Sequence, residues 1–263
     1  MQSLESLGHE IELDDEAIQR QAPGRFVNYD AIKRKSSHIG LATERGIICK
    51  SKPRCPEKAI YEFLSLEVWN YLLKSYSAHN SLKFRSPAPL GIHSLNSSNP
   101  EVLMEFINGY ELLRFNQLRR KLPIYIDGLD EPLRVYPAFA MHLGALNRLK
   151  EVEKLLHSDY DGRHILFSPA GNVFIGVVDL ENSRIDEEEL VSKESARSLN
   201  ELLKKASSSD DVRVLNSWYS KGRESLKVPE GVPQLERVLE GVKRKHDVNF
   251  DFRNLALNGF HLI

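Results

Sequence analysis

Strand patterns come first along this chain and helical patterns later, an order that predicts the α+β class. Three stretches carry the prediction. Phe26 to Lys52 alternates in the manner of strands and is broken by two short polar turns. Tyr136–Leu156 repeats apolar residues at helical spacing and is long enough to form a core. The segment ILFSPAGNVFIGVVD, 165–179, reads as a hairpin with its turn at Pro169-Ala170-Gly171-Asn172.

Residues 1–24 form a polar, acidic lead-in, with a short helix expected over Asp14–Gln21. Strands are expected in FVNYDAIKR, HIGLAT and IICKSK, separated by turns at Lys35-Ser36-Ser37 and Glu44-Arg45-Gly46. Pro53 to Pro56 punctuates the chain. Lys58–Ser75 then places Ile60, Phe63, Leu64, Val68, Tyr71 and Leu72 with the period of an amphipathic helix. The stretch SLKFRSPAPLGIHSLNSSNP is polar and rich in proline, and the strand EVLMEFI follows it, closed by Gly109. Helices are expected at Glu111–Lys121, Tyr136–Leu156, Glu194–Ala206, Asp210–Glu224 and Pro233–Lys245. No internal repeat is visible.

The bulk numbers set bounds. The 263 residues suffice for one large domain or two lobes around a cleft. Charged residues are 28% and apolar ones 41%, the ordinary balance of a soluble globular protein. A net charge of −1 argues against a global attraction to nucleic acid or an anionic membrane. The basic cluster Arg114, Arg119, Arg120 and Lys121 could face an acidic partner or RNA, although such a run is usually a solvated helix face. No run of 18 apolar residues suggests a membrane span, and the acidic start is not a signal peptide. Cys49 and Cys55 match no metal motif and make no disulfide framework, so a reducing, cytoplasmic setting is expected.

Most of the functional information lies in LLHSDYDGRHILFSPAGNVFIGVVDLENS, 155–183. One short loop carries His157, Asp159 and a metal-capable His164, and Asp179 ends a strand too apolar to lie at the surface. A carboxylate directly after Gly176-Val177-Val178 needs a partner such as a cation. One carboxylate to orient an acceptor hydroxyl, with two ligands to hold Mg²⁺ against nucleotide phosphates, is what phosphoryl transfer requires. The bland alternatives are an Asp that forms a turn or caps a helix, and a structural His. A zinc-hydrolase reading lacks its H-E-x-x-H helix.

This block resembles the catalytic and metal-binding loops of the protein-kinase-like superfamily. His157-x-Asp159 with His164 five residues on is similar to the H-x-D-x-x-x-x-N loop, with His in place of Asn. That exchange resembles the loops of lipopolysaccharide sugar kinases. Asp161 stands where protein kinases usually carry Lys, and Leu180-Glu181 stands where they carry Phe-Gly. Arg34 to Ala42 resembles the phosphate loop of the RIO kinases, which would make Lys35, Ser36 and Ser37 phosphate-facing. Lys50, ending GIICK, occupies the place of the lysine that touches the α- and β-phosphates, with Lys52 as the alternative if the strand register differs. Glu62, in Y-E-F-L-S-L, would fix that lysine; Glu67 is the other carboxylate of the helix. SPAPLGI and VLMEFINGYEL resemble the approach and hinge of these families, so backbone groups of Glu105, Phe106 and Ile107 would bond adenine, with Met104 lining its pocket.

The resemblance covers about Arg25 to Arg184, with the motifs in the expected order, and within the superfamily the chain resembles RIO-like, lipopolysaccharide and predicted archaeal Ser/Thr kinases. It implies a bilobal kinase-like fold with an extension over 1–24, an antiparallel-sheet N-lobe over 25–107 and a mainly helical C-lobe over 108–263. It also implies an ATP-dependent kinase using Mg²⁺ or Mn²⁺ and phosphorylating a hydroxyl, on protein Ser/Thr or on a sugar, lipid or other small molecule. Asp159 and His157 would be catalytic, and His164 and Asp179 would hold the metal. His164 and Asp161 together leave open a nucleotide-binding scaffold without activity.

Overall fold

The computed structural model describes residues 33–34, 39–42, 47–52, 54–95, 97–107, 109–111, 123–158, 164–169, 173–228, 230, 234–248, 250–254 and 256–257. Along the chain run β1 (Lys33–Arg34), β2 (Ile39–Ala42), β3 (Ile47–Ser51), helix α1 (Pro56–His79), β4 (Phe84–Arg85), β5 (Pro89–His93), β6 (Glu101–Glu105) and β7 (Tyr110–Glu111). Then follow α2 (Val135–Glu153), β8 (Leu155–Leu156), β9 (Ile165–Ser168), β10 (Phe174–Val177) and β11 (Arg184–Ile185). The chain ends with α3 (Glu188–Leu203), α4 (Ser209–Ser225), α5 (Gln234–His246), β12 (Phe250–Asp251) and β13 (Ala256–Leu257). Strands dominate the first part and helices the second, so the chain is α+β, as its element order predicts.

Two units divide the chain. The first joins Met1–Asn70, Pro87–Ile107 and Val238–Ile263; the second joins Tyr71–Ser86 and Asn108–Arg237. Relative to the contiguous division expected over 25–107 and 108–263, two segments change sides: Tyr71–Ser86 belongs to the second unit and Val238–Ile263 to the first.

The first unit is built on an antiparallel sheet of order β1-β2-β3-β6-β5. Its register sets Lys50 opposite Ile39 on one side and Val102 on the other. Strand β5 escapes the sequence reading because Pro89 and Gly91 look like loop punctuation. It lies at the sheet edge, where a proline removes no needed ladder bond, with an irregularity between those two residues. Helix α1 begins two residues before its predicted start and contributes Ala59 through Asn70, all buried, to this unit. The amphipathic face expected from its apolar spacing is not seen over this stretch, because the helix is buried on every side there.

In the second unit β9 and β10 form the predicted hairpin, with Phe174 opposite Ser168 and Val177 opposite Ile165. Strand β4 joins β10 in parallel, and β7 joins β9. Helix α2 ends at Glu153, because Lys154 adopts a left-handed conformation (φ 53°, ψ 38°) that turns the chain out. Leu155 and Leu156, expected as the last helical turn, therefore become a strand paired with β11. Helix α3 starts earlier than expected, with Glu188 and Glu189 complementing its N-terminal dipole. Glu111 lies in a strand, and most of the helix expected after it, like the helix expected over Asp14–Gln21, falls outside the described residues.

Packing in the second unit is closest where α2 meets α4. A Cβ built on Gly144 would sit 2.0 Å from the Tyr219 carbonyl oxygen, and one on Gly222 would sit 1.9 Å from that of Met141. Each helix thus offers a glycine to the other's backbone. Between α2, α3 and α4, Asn147 Nδ2 donates to Ser198 Oγ (2.8 Å), Tyr219 Oη (3.0 Å) and the Ser195 carbonyl (3.2 Å). Tyr76 Oη donates to Glu153, whose other oxygen accepts the Leu235 N–H at 2.8 Å. Buried polar atoms that are all partnered cost little and fix which face meets which.

Candidate functional site

In the first unit the site begins with a strand's alternation. Residues two apart in extended chain share a face, so Lys50 in β3 and Lys52, one residue past its end, project to the same side. Both reach the fully buried carboxylate of Glu62, in the second turn of α1. Lys50 Nζ lies 3.0 Å from Oε1 and Lys52 Nζ lies 2.7 Å from Oε2. A carboxylate removed from water needs such partners. The choice between the two lysines that the sequence leaves open becomes a shared carboxylate. Burial holds the Lys52 amine below its ordinary range; Glu62 opposes this, and the neighbouring Lys50 charge adds to it. On the opposite face Ser51 Oγ donates to Glu101 Oε1 at 2.8 Å.

The hinge residues lie at the end of β6. Met104 is buried opposite Ile48 and Pro89. The Glu105 N–H donates to the Ala88 carbonyl at 2.8 Å and is therefore committed within the chain, not offered to a ligand. Phe106 is half-buried and Ile107 buried. Lys35, Ser36 and Ser37 lie outside the described residues.

In the second unit the candidate catalytic loop is anchored from below. Glu194, on α3, accepts the backbone N–H of His157 at 3.2 Å and that of Ser158 at 3.0 Å. Lys150, fully buried on α2, pairs with the same carboxylate. Burial pulls the Lys150 amine below its ordinary range, with Glu194 acting in the other direction. Arg184 Nη1 donates to Ser158 Oγ at 2.9 Å, and its Nε donates to Asp186 at 2.7 Å. The loop is thus fixed through the residue that precedes Asp159. Asp159 itself, with Asp161 and Arg163, lies outside the described residues.

His157, expected among the catalytic residues, lies beneath the loop. The imidazole is fully buried and donates from Nε2 to the Val178 carbonyl at 2.8 Å. Burial lowers its pKa to about 4, against weaker raising effects from Val178 and Glu194, so the ring is neutral at pH 7. Its hydrogen bond fixes the carbonyl of Val178, the residue before Asp179. The Val178 N–H donates to the His164 carbonyl at 3.0 Å, so both backbone groups of Val178 are held. Asp179 then takes φ +64°, a conformation unusual for a residue with a side chain and one that clusters at functional sites.

The two expected metal ligands come together. His164 Nε2 lies 3.3 Å from Asp179 Oδ2, and the His164 ring stacks on that of His157 with centroids 5.5 Å apart. Both side chains keep partial exposure, 12% for His164 and 30% for Asp179. An imidazole nitrogen and a carboxylate oxygen at that separation fit a divalent cation. The mixed donor set suits Mn²⁺ better than the oxygen-preferring Mg²⁺.

Sequence reasoning missed Lys150, Glu194 and Arg184. A signal exists for Lys150: with Asn147 it falls on the stripe of Leu143, Leu146 and Leu149, and polar residues on a buried stripe imply partners elsewhere. Glu194 gives no comparable sign, since it reads as one of several acidic residues near a helix start.

No protein-family model and no curated protein matches the chain. Among solved structures, a divergent kinase that lacks the glycine-rich loop and regulates membrane ultrastructure of the Toxoplasma parasitophorous vacuole is similar over 96% of this chain and 92% of its own. It shares 14% identity at a TM-score of 0.47. So distant a likeness decides neither fold nor activity. No helix among the described residues is long and apolar enough to cross a membrane.

Proposed function

We propose that the protein is an ATP-dependent phosphotransferase acting on a hydroxyl, with protein Ser/Thr as the leading acceptor class and a sugar or other small molecule as the alternative. The observation that carries the reading is the Lys50–Glu62 ion pair: a strand lysine fixed by a carboxylate in the second turn of the following helix. An ammonium held this way is preorganised to receive a phosphate. The antiparallel sheet of the first unit, with α1 carrying Glu62 after β3, supports the reading, since an antiparallel-sheet N-lobe is what the resemblance implied. In the second unit, the anchoring of His157 and Ser158 by Glu194 would hold Asp159 to orient the acceptor oxygen. His164 and Asp179 would hold Mg²⁺ or Mn²⁺, which when bound supplies neutralisation of phosphate charge.

A second reading, a nucleotide-binding scaffold with impaired transfer, is favoured by His164 itself. Its imidazole lies 3.3 Å from Asp179, and in this reading it would occupy that carboxylate in place of a cation. The test is ³²P transfer from ATP to the protein itself, to generic proteins and to sugars, with Asp159→Asn and Lys50→Met alongside. Transfer by wild type that both variants lose supports the enzyme. Binding of Mg²⁺-ATP or Mn²⁺-ATP with no transfer to any acceptor supports the scaffold, and no nucleotide binding at all sinks both.

A further inference from the structure

Helix α1 is gripped from a second side, by the C-terminal end of the same unit. Both sequence neighbours of Glu62 touch that segment: Tyr61 stacks on Phe252 (centroids 6.0 Å, planes 16° apart), and Phe63 meets the His246 ring edge-on (5.6 Å, 81°). Five residues after Glu62, the buried Glu67 carboxylate accepts from Lys245 through Oε1 and from His246 through Oε2. Burial alone would raise the Glu67 pKa, yet these two partners hold it below the usual carboxylate range. Phe250 and Phe252, both buried, pack edge to face and complete the segment.

Helix geometry gives this arrangement a consequence. Five residues turn an α-helix through about 140° beyond a full turn, so Glu62 and Glu67 project from different faces. One face is held by Lys50 on β3 and Lys52 just beyond it, the other by Lys245 and His246. Two ionic restraints on different faces fix the rotation of the helix about its axis, and with it the aim of Glu62. We propose that Lys245, His246 and Phe252 form a built-in positioning device, in which Glu67 and His246 act through Glu62 to set the two lysines for phosphate. This rests on the nucleotide reading of Lys50, Lys52 and Glu62 given above.

The test is Mg²⁺-ATP and Mn²⁺-ATP affinity of the full-length chain, measured for Glu67→Ala, His246→Leu, His246→Gln and Glu62→Gln, and for Glu67→Ala and His246→Leu each combined with Glu62→Gln. Groups that act as one unit give non-additive effects, so Glu67→Ala and His246→Leu should each weaken binding about tenfold alone and add nothing in the Glu62→Gln background. His246→Gln, which keeps a donor for Glu67, should bind close to wild type. Should Glu67→Ala not fold, Phe252→Leu keeps apolar bulk, removes the Tyr61 stack and should give the same pattern. Full additivity with Glu62→Gln would show a merely structural role and overturn the proposal. So would unchanged affinity in folded Glu67→Ala and His246→Leu while Glu62→Gln binds weakly; in that case the nucleotide reading survives alone. A wild type that binds neither nucleotide complex overturns both.

Discussion

Glu194 accepts the backbone N–H of Ser158 at 3.0 Å while its other oxygen serves the fully buried Lys150. Breaking such a pair from one side leaves an uncompensated charge in the interior. Glu194→Ala should therefore lower stability by roughly 3–5 kcal/mol. Lys150→Met combined with Glu194→Gln should recover most of that loss, because no buried charge is left over. Denaturant unfolding of the three proteins checks this; a single Glu194→Ala variant as stable as wild type would show that the pair is not buried as described.

His142 and His157 set the acid limit of the fold. Burial holds both near pKa 4, against 6.5 for an ordinary imidazole; the Ala138 carbonyl, which His142 Nδ1 meets at 2.8 Å, only partly opposes this. Because the folded value is the lower, the unfolded chain binds more protons between pH 6.5 and about 4. The stability these rings contribute is thus complete above pH 6.5 and is lost as pH falls toward 4. Each pKa unit corresponds to roughly 1.4 kcal/mol per group. Melting temperature followed across this window should decline, and His142→Leu should flatten the decline. An unchanged slope in that variant would mean that the ring is not held neutral.

Gly144 and Gly222 should invert the usual preference for alanine in helices. In an exposed helix, Gly→Ala stabilises by up to about 1 kcal/mol. Here each new methyl would lie within about 2 Å of a carbonyl oxygen on the facing helix, Tyr219 for one and Met141 for the other. Overpacking of this kind costs about 1–3 kcal/mol or more. Calorimetry of Gly144→Ala and Gly222→Ala should show lower melting temperatures in both; a rise in either would mean that α2 and α4 stand farther apart.

What the sequence revealed and what it hid follow from the range of each interaction. Local periodicity was enough for α2 and the β9–β10 hairpin, and the resemblance to kinase-like loops pointed to Lys50, Glu62, His164 and Asp179, which lie in contact as two pairs, Lys50 with Glu62 and His164 with Asp179. Strand β5 was hidden because Pro89 and Gly91 are loop-like unless one knows that they sit at an edge. Leu155 and Leu156 look helical until Lys154 leaves the helical region. Glu194, 37 residues from His157, and His246, 179 residues from Glu67, were illegible because their meaning depends on partners that only the folded chain supplies.

The substitution that best separates an altered site from an inactive one is at His164. Its nitrogen already lies 3.3 Å from Asp179, so the two donors face a common point. If that point holds a divalent cation, the oxygen-preferring Mg²⁺ is poorly served by imidazole and better served by an amide. Wild type should then transfer phosphate faster with Mn²⁺ than with Mg²⁺. His164→Asn should keep or raise the Mg²⁺-dependent rate, and His164→Ala should lose activity with either metal. Asp179→Ala should abolish the metal-dependent part of the melting-temperature rise that ATP produces, because a ligand bound only to the folded state stabilises it by mass action. Equal rates in the Asn and Ala variants would assign His164 to packing on His157, and the cation would then be held by other donors.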